Sequence, residues 1–147
     1  MDKKPMQSLE KILNDFADAC RKAGMRVTPQ RLEIYRELMA ATDHPSAEAL
    51  HRRLRLKMPA LSLDTVYRNL ADLANRGLIS KVETSQSLAR FEANGLPHHH
   101  LICRTCGEIM DFQWPIIDNA SLPDEIRDWG MIEHKNIVAY GVCRRCL

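Results

Sequence analysis

Two Cys-x-x-Cys pairs, Cys103/Cys106 and Cys143/Cys146, stand in the chain with 36 residues between them. Four thiolates delivered in two tight turns match the tetrahedral preference of Zn2+, and such a site is closed and structural. Gly107, directly after the first pair, suits the turn that wraps a metal. A redox dithiol or a pair of disulfides is the competing chemistry. Immediately upstream, "LPHHHLIC" sets His98, His99 and His100 ahead of Cys103. Four cysteines already complete a zinc shell, so these imidazoles are surplus to it. In an extended segment His98 and His100 point to one face, and His99 and Cys103 to the other. An i, i+2 histidine pair can chelate a metal of its own; it equally describes a polar strand facing solvent. Asp111 after the cysteine turn, Glu92 upstream and His44 before Pro45 are further donors. A mixed imidazole and carboxylate shell suits Fe2+, Mn2+ or Zn2+. Spacing alone does not bring these residues together.

The first half of the chain reads as helices. Leu9, Ile12, Leu13, Phe16 and Ala19 recur at helical spacing over residues 7–22, and Gly24 ends the run. Thr28 followed by Pro29 predicts the start of a second helix, because proline at the first helical position loses no hydrogen bond. Ser46 caps a third helix, with Ala47, Leu50 and Leu54 inward and Pro59 as its stop. The fourth is best signalled: Ser62 is the cap, Leu61 and Val66 form a hydrophobic staple, and Asp64 suits the positive end of the dipole. Leu63, Val66, Leu70 and Leu73 face inward, Thr65, Arg68, Asn69, Asp72 and Arg76 outward, and Gly77 closes the helix. Two short strands follow, "LISKVE" and "LARFEA", about a turn at 84–87.

Helices followed by a two-stranded ribbon predict an α+β chain. Residues 1–92 form a winged helix-turn-helix domain, 93–97 a hinge, and 98–147 a small, strand-rich domain. Strands are expected in "HHLIC", "EIMDFQW" and "MIEHKNIVAYGVC", with a short helix around "LPDEIRDW". Cys20 reads as a small buried hydrophobe of the first helix.

Net charge is only +2, but residues 1–93 carry 16 Lys and Arg against 12 Asp and Glu, while residues 94–147 carry 5 against 7. A basic first half fits a nucleic-acid-binding module, and ordinary solvated surface fits equally well. The first turns of the fourth helix would reach base edges in a major groove, which nominates Thr65, Tyr67 and Arg68, with Ser62 near phosphate. Tyr67 could also be core packing. Basic residues of "GMRVTPQR" and "HRRLRLK" could position the backbone. No long apolar run stands near the N-terminus, so neither a leader peptide nor a membrane span is expected, and a cytoplasmic location is.

The stretches "GMRVTPQR", "HPSAEAL", "SLDTVYRNL", "ARFE", "HHHLICRTCGEIMDF" and "YGVCRRC" occur in the order found in the ferric uptake regulator family of metal-dependent repressors, which the chain resembles over nearly its whole length. The resemblance implies a winged-helix domain, a hinge and an α/β dimerisation domain, acting as a homodimer on a palindromic double-stranded operator. It implies structural Zn2+ on Cys103, Cys106, Cys143 and Cys146. It also implies a regulatory site for Fe2+, Mn2+ or Zn2+ that joins the two domains through His44, Glu92, His98, His100 and Asp111. Arg26 matches the family's minor-groove residue, and Tyr67 and Arg68 its base- and phosphate-contacting pair. Asp111 and the end of the chain after Cys146 are similar to the peroxide-responsive members, in which bound Fe2+ reacts with peroxide and a ligand histidine is oxidised. Glu92 is more similar to the iron-uptake or zinc-uptake members. Pro97, His99 and Lys135 replace ligands of an accessory site, so that site is expected to be absent or altered.

Other classes make different demands. A metallohydrolase at His98 and His100 would need an open coordination position and a general base. A thiol redox protein would use Cys103 and Cys106 and leave the distant pair unexplained. A structural zinc-ribbon module would be indifferent to loss of His44 or His100.

Overall fold

The computed structural model describes residues 8–84, 88–93 and 98–147. These form two compact units: residues up to Glu83 together with 88–93, and the residues from His98 onward, with which Thr84 also groups. Apart from Ala93, the expected hinge lies outside the described residues, as does the turn at 85–87.

In the first unit four helices run α1 (Leu9–Lys22), α2 (Pro29–Ala40), α3 (Ala47–Leu54) and α4 (Leu63–Asn75). Each starts where a hydroxyl can serve an orphan amide. Ser8, Thr28, Ser46 and Ser62 accept from the N–H groups of Lys11, Arg31, Ala49 and Thr65 at 3.1–3.2 Å. The apolar stripes then meet in one core: Phe16, Cys20, Ile34, Leu38, Leu50, Leu54, Val66, Leu70 and Leu73 are all buried. Phe16 stacks on Tyr35 with ring centroids 3.8 Å apart. Strands β1 (Ser80–Val82) and β2 (Arg90–Glu92) pair antiparallel; Ile79, just before β1, and Phe91 on β2 join the core. This is the expected helix-turn-helix with its wing.

Two details differ from the expectation. Helix α3 ends at Leu54 rather than running on toward Pro59, because Lys57 and Met58 N–H turn back onto the Leu54 carbonyl. That turn leaves Leu56 in solvent and brings half-buried Met58 and buried Leu61 to the core. Asn69 does not simply face out. It is half-buried, and its amide bridges the Thr65 carbonyl and Arg31.

The second unit is built on a three-stranded sheet in the order β4 (Ile109–Phe112), β3 (His99–Cys103), β5 (Val138–Gly141). β3 pairs antiparallel with β4 and parallel with β5. A four-residue helix, α5 (Pro115–Asp118), and a 3-10 turn at Asp124–Trp129 lie between β4 and β5, and a second 3-10 turn spans Arg144–Cys146. The sequence suggested a longer last strand from Met131. Only Val138–Gly141 forms one, paired with His100–Cys103 of β3, and the Ile137 N–H just before it goes to the His99 side chain. Among the described residues of this unit, Ile102 and Cys103 are the buried hydrophobic side chains, so apolar burial supplies little stability.

Candidate metal centres and nucleic-acid interface

The four cysteines converge. Cys103 ends β3, Cys106 lies in the turn to β4, Cys143 precedes the 3-10 turn that follows β5, and Cys146 ends that turn. Gly107 adopts φ +76°, a conformation that favours glycine, and its N–H closes the turn onto the Cys103 carbonyl at 2.9 Å. All four sulfurs lie within 4.8 Å of one another, with Cys106 and Cys143 Sγ 3.7 Å apart. A tetrahedron of ~2.3 Å Zn–S bonds has an edge of about 3.8 Å, whereas a disulfide would need about 2 Å. The donor set therefore fits Zn2+. Backbone amides of Cys106 and Cys143 hold the Cys103 thiol down to about 6. Hydrogen bonding to Cys143, followed by desolvation, pushes the Cys146 thiol up to about 12. Zinc binding must therefore displace protons, and uptake by the metal-free protein is expected to acidify a weakly buffered solution.

The remaining predicted donors form two sets, one in each unit. In the first, His44 Nε2 lies 2.8 Å from Glu92 Oε2, and both residues are buried. The strand that carries Glu92 is fastened to the loop that carries His44. Phe91 N–H donates to the Pro45 carbonyl at 3.0 Å, and Arg90 Nε–H donates to the His44 carbonyl. In the second unit the β3–β4 register sets His100 directly opposite Asp111. His100 Nε2 and His98 Nε2 approach the two Asp111 oxygens at 3.4 and 3.9 Å. The two imidazoles meet edge-on, with centroids 4.8 Å apart. His98 and His100 share a face, as strand alternation requires, and with side chains 8% and 7% exposed the pair is not a solvated polar strand.

His99 has a different task. It is fully buried; its Nδ1 accepts from the Ile137 N–H at 2.9 Å, so Nε2 carries the proton and donates to Asp118 Oδ1 at 2.9 Å. Both ring nitrogens are thereby committed, and the imidazole ties β3 to α5 and to the approach to β5. The sequence did not single out Asp118, whose only signal was a carboxylate in an otherwise apolar "WPIID" segment. Asp118→Asn is expected to cost about 1–3 kcal/mol of stability, read from thermal unfolding of the zinc-loaded protein, without reducing its zinc content.

Of the DNA candidates, Ser62 is the α4 cap, and its Oγ lies 2.8 Å from Thr65 Oγ1. Tyr67 is 41% exposed, which excludes core packing, and its hydroxyl donates to the Glu48 carboxylate. That hydrogen bond holds Glu48 below the usual carboxylate range and raises Tyr67. Arg68 is exposed and pairs with Asp64 at 3.0 Å. Arg26 is exposed in the loop between α1 and α2. Sequence reasoning missed Glu48, which lies 19 positions from its partner.

A model of the ferric uptake regulator family matches residues 22–137. The chain belongs to that family. The peroxide-responsive repressor PerR of Staphylococcus epidermidis is 34% identical over 142 residues, covering 96% of this chain and 94% of that protein. The ferric uptake regulator of Helicobacter pylori, whose structure reveals three functional metal-binding sites, aligns at TM-score 0.76 and 31% identity over 97% of this chain and 96% of that one. A zinc uptake regulator solved with zinc and DNA aligns at TM-score 0.67 and 26% identity, covering 95% of each chain. Members of the ferric uptake regulator family combine a winged-helix domain with a dimerisation domain, the architecture expected from the sequence.

Proposed function

We propose that this protein is a metal-dependent, DNA-binding transcriptional repressor that senses peroxide, acts as a cytoplasmic homodimer on a palindromic operator, and catalyses no reaction. The observation that carries the metal-dependent reading is the convergence of His98 and His100 on Asp111 across a single strand pair. His44 and Glu92 are the remaining regulatory donors, and Cys103, Cys106, Cys143 and Cys146 hold structural zinc. His44 and Glu92 belong to the first unit, and His98, His100 and Asp111 to the second. The peroxide reading is supported by the Staphylococcus relative.

The bound ion supplies the positive charge that holds the donors together and, as Fe2+, reactivity toward peroxide. His44, His98 and His100 supply nitrogen lone pairs, and Glu92 and Asp111 supply charge. Loss of one imidazole to oxidation weakens the set. Moving the regulator from mostly off to mostly on takes about 5.5 kcal/mol of differential metal binding. DNA is read by α4, with Thr65, Tyr67 and Arg68 at the bases, Ser62 near phosphate, and Arg26 in the minor groove. Exposed Leu101, opposite exposed Met110 on the sheet, gives a second copy apolar surface to cover. No helix among the described residues is long and apolar enough to cross a membrane.

Metal-free protein reconstituted with Zn2+ at the cysteines alone is expected to bind operator DNA weakly, and to tighten on addition of Fe2+ or Mn2+. Equal affinity with and without the second metal would overturn the reading. A second reading, iron-uptake or zinc-uptake regulation, is favoured by Glu92: its carboxylate is buried on His44, and it resembles the uptake branch at this position.

A further inference from the structure

We propose that Arg31 is a positioning residue for DNA binding, bracing the Arg26 loop against the recognition helix. The proposal rests on the reading that Arg26 and α4 touch DNA. Arg31 stands in the first turn of α2, and its guanidinium serves three acceptors in three directions. Nη1–H donates to the Arg26 carbonyl at 2.7 Å, Nε–H donates to Asn69 Oδ1 at 3.0 Å, and Nη2 lies 3.5 Å from Asp72 Oδ2. Asn69 is itself oriented, because its Nδ2–H donates to the Thr65 carbonyl at 2.8 Å. One planar fork thus joins the loop that presents Arg26 to the middle of the helix that presents Thr65 and Arg68.

The loop is fastened elsewhere too. Met25 is buried and its N–H donates to the Cys20 carbonyl at 2.8 Å, while Arg76 at the end of α4 donates to the Ala23 carbonyl. Arg31 is the contact that reaches Arg26 itself. Its side chain is only 18% exposed, so it is badly placed to meet phosphate directly. A lysine keeps the charge but is a point donor on a flexible stem, and cannot span three separated acceptors. Two elements that enter adjacent grooves must hold a fixed spacing, and this guanidinium sets it.

The test is a double-mutant cycle on the full-length, Mn2+-loaded protein. The probe is a duplex that the wild-type protein selects from a random-sequence library, with poly(dI-dC) as the non-specific comparator. Arg31→Lys is expected to weaken binding to the selected duplex about tenfold and to leave poly(dI-dC) binding unchanged; Arg26→Ala alone should also cost about tenfold. Because Arg31 acts through Arg26, the double variant should bind about as Arg26→Ala does. Asn69→Ala, which removes one of the two α4 acceptors of the brace, should show the same non-additivity if Arg31→Lys folds poorly. Losses that multiply to about a hundredfold, or an Arg31→Lys protein with wild-type affinity, would overturn the proposal alone. Wild-type affinity in Arg26→Ala would overturn the DNA reading of Arg26 and this proposal together.

Discussion

Cys143→Ser is expected to empty the four-sulfur site and unfold the second unit while leaving the first intact. The reason is the poverty of that unit's core. Among its described residues, Ile102 and Cys103 are the buried hydrophobic side chains, and His99 and His100 the buried polar ones. A segment this small and this exposed needs a staple. Structural zinc sites contribute on the order of 10 kcal/mol of apparent binding energy, comparable to the whole stability of an ordinary domain. A serine hydroxyl is a far weaker ligand than a thiolate, and Cys143 also donates its backbone N–H to Cys103 Sγ at 3.3 Å. Zinc content by atomic absorption should fall to near zero, and amide signals from residues 98–147 should collapse to those of an unfolded segment. Cys20→Ser is the contrast, because Cys20 is buried in the first unit's core. It should lower that unit's melting temperature and leave zinc in place. Full zinc retention by the Cys143 variant would contradict the four-sulfur assignment.

His100→Ala should abolish the metal dependence of operator binding without touching structural zinc. His100 and Cys103 lie on the same strand but on opposite faces, so removing one imidazole does not disturb the thiolates. The expected loss of operator affinity in the presence of Mn2+ is about a hundredfold or more, the ratio between a regulator held mostly on and one left mostly off. Asp111→Asn should behave alike, since His98 and His100 both approach that carboxylate. His99→Ala should differ from both. Its ring nitrogens are committed to Ile137 and Asp118, so its removal should lower the melting temperature while operator binding stays metal-dependent. Fluorescence anisotropy of labelled operator, with and without added metal, separates these outcomes.

What could be read from the sequence was mostly what local chemistry decides. Thr28, Ser46 and Ser62 were legible as caps because a cap acts on an amide three residues away. The cysteine clamp was legible because two Cys-x-x-Cys pairs deliver four thiolates in tight turns, the tetrahedral set that zinc prefers. The division of the histidine run between two tasks followed from strand alternation. Partners joined by tertiary contact were not legible: Arg31 meets Asn69 across 38 positions, and His99 meets Asp118 across 19. The stretch from Met131 shows why alternation misleads. Its apolar residues suggested a strand, yet a strand needs a partner, and pairing to β3 begins only at Val138. Met131 is left 82% exposed.

The most direct test of peroxide sensing starts from protein with zinc on the cysteines and Fe2+ at the regulatory donors. After brief exposure to dilute hydrogen peroxide, operator affinity is measured and tryptic peptides are weighed. The expected result is loss of operator binding together with one oxygen atom added to His44, His98 or His100, and an Mn2+-loaded control unchanged in both respects. Unmodified histidines with undiminished binding in the Fe2+ form would contradict peroxide sensing and leave the uptake-regulator reading in its place.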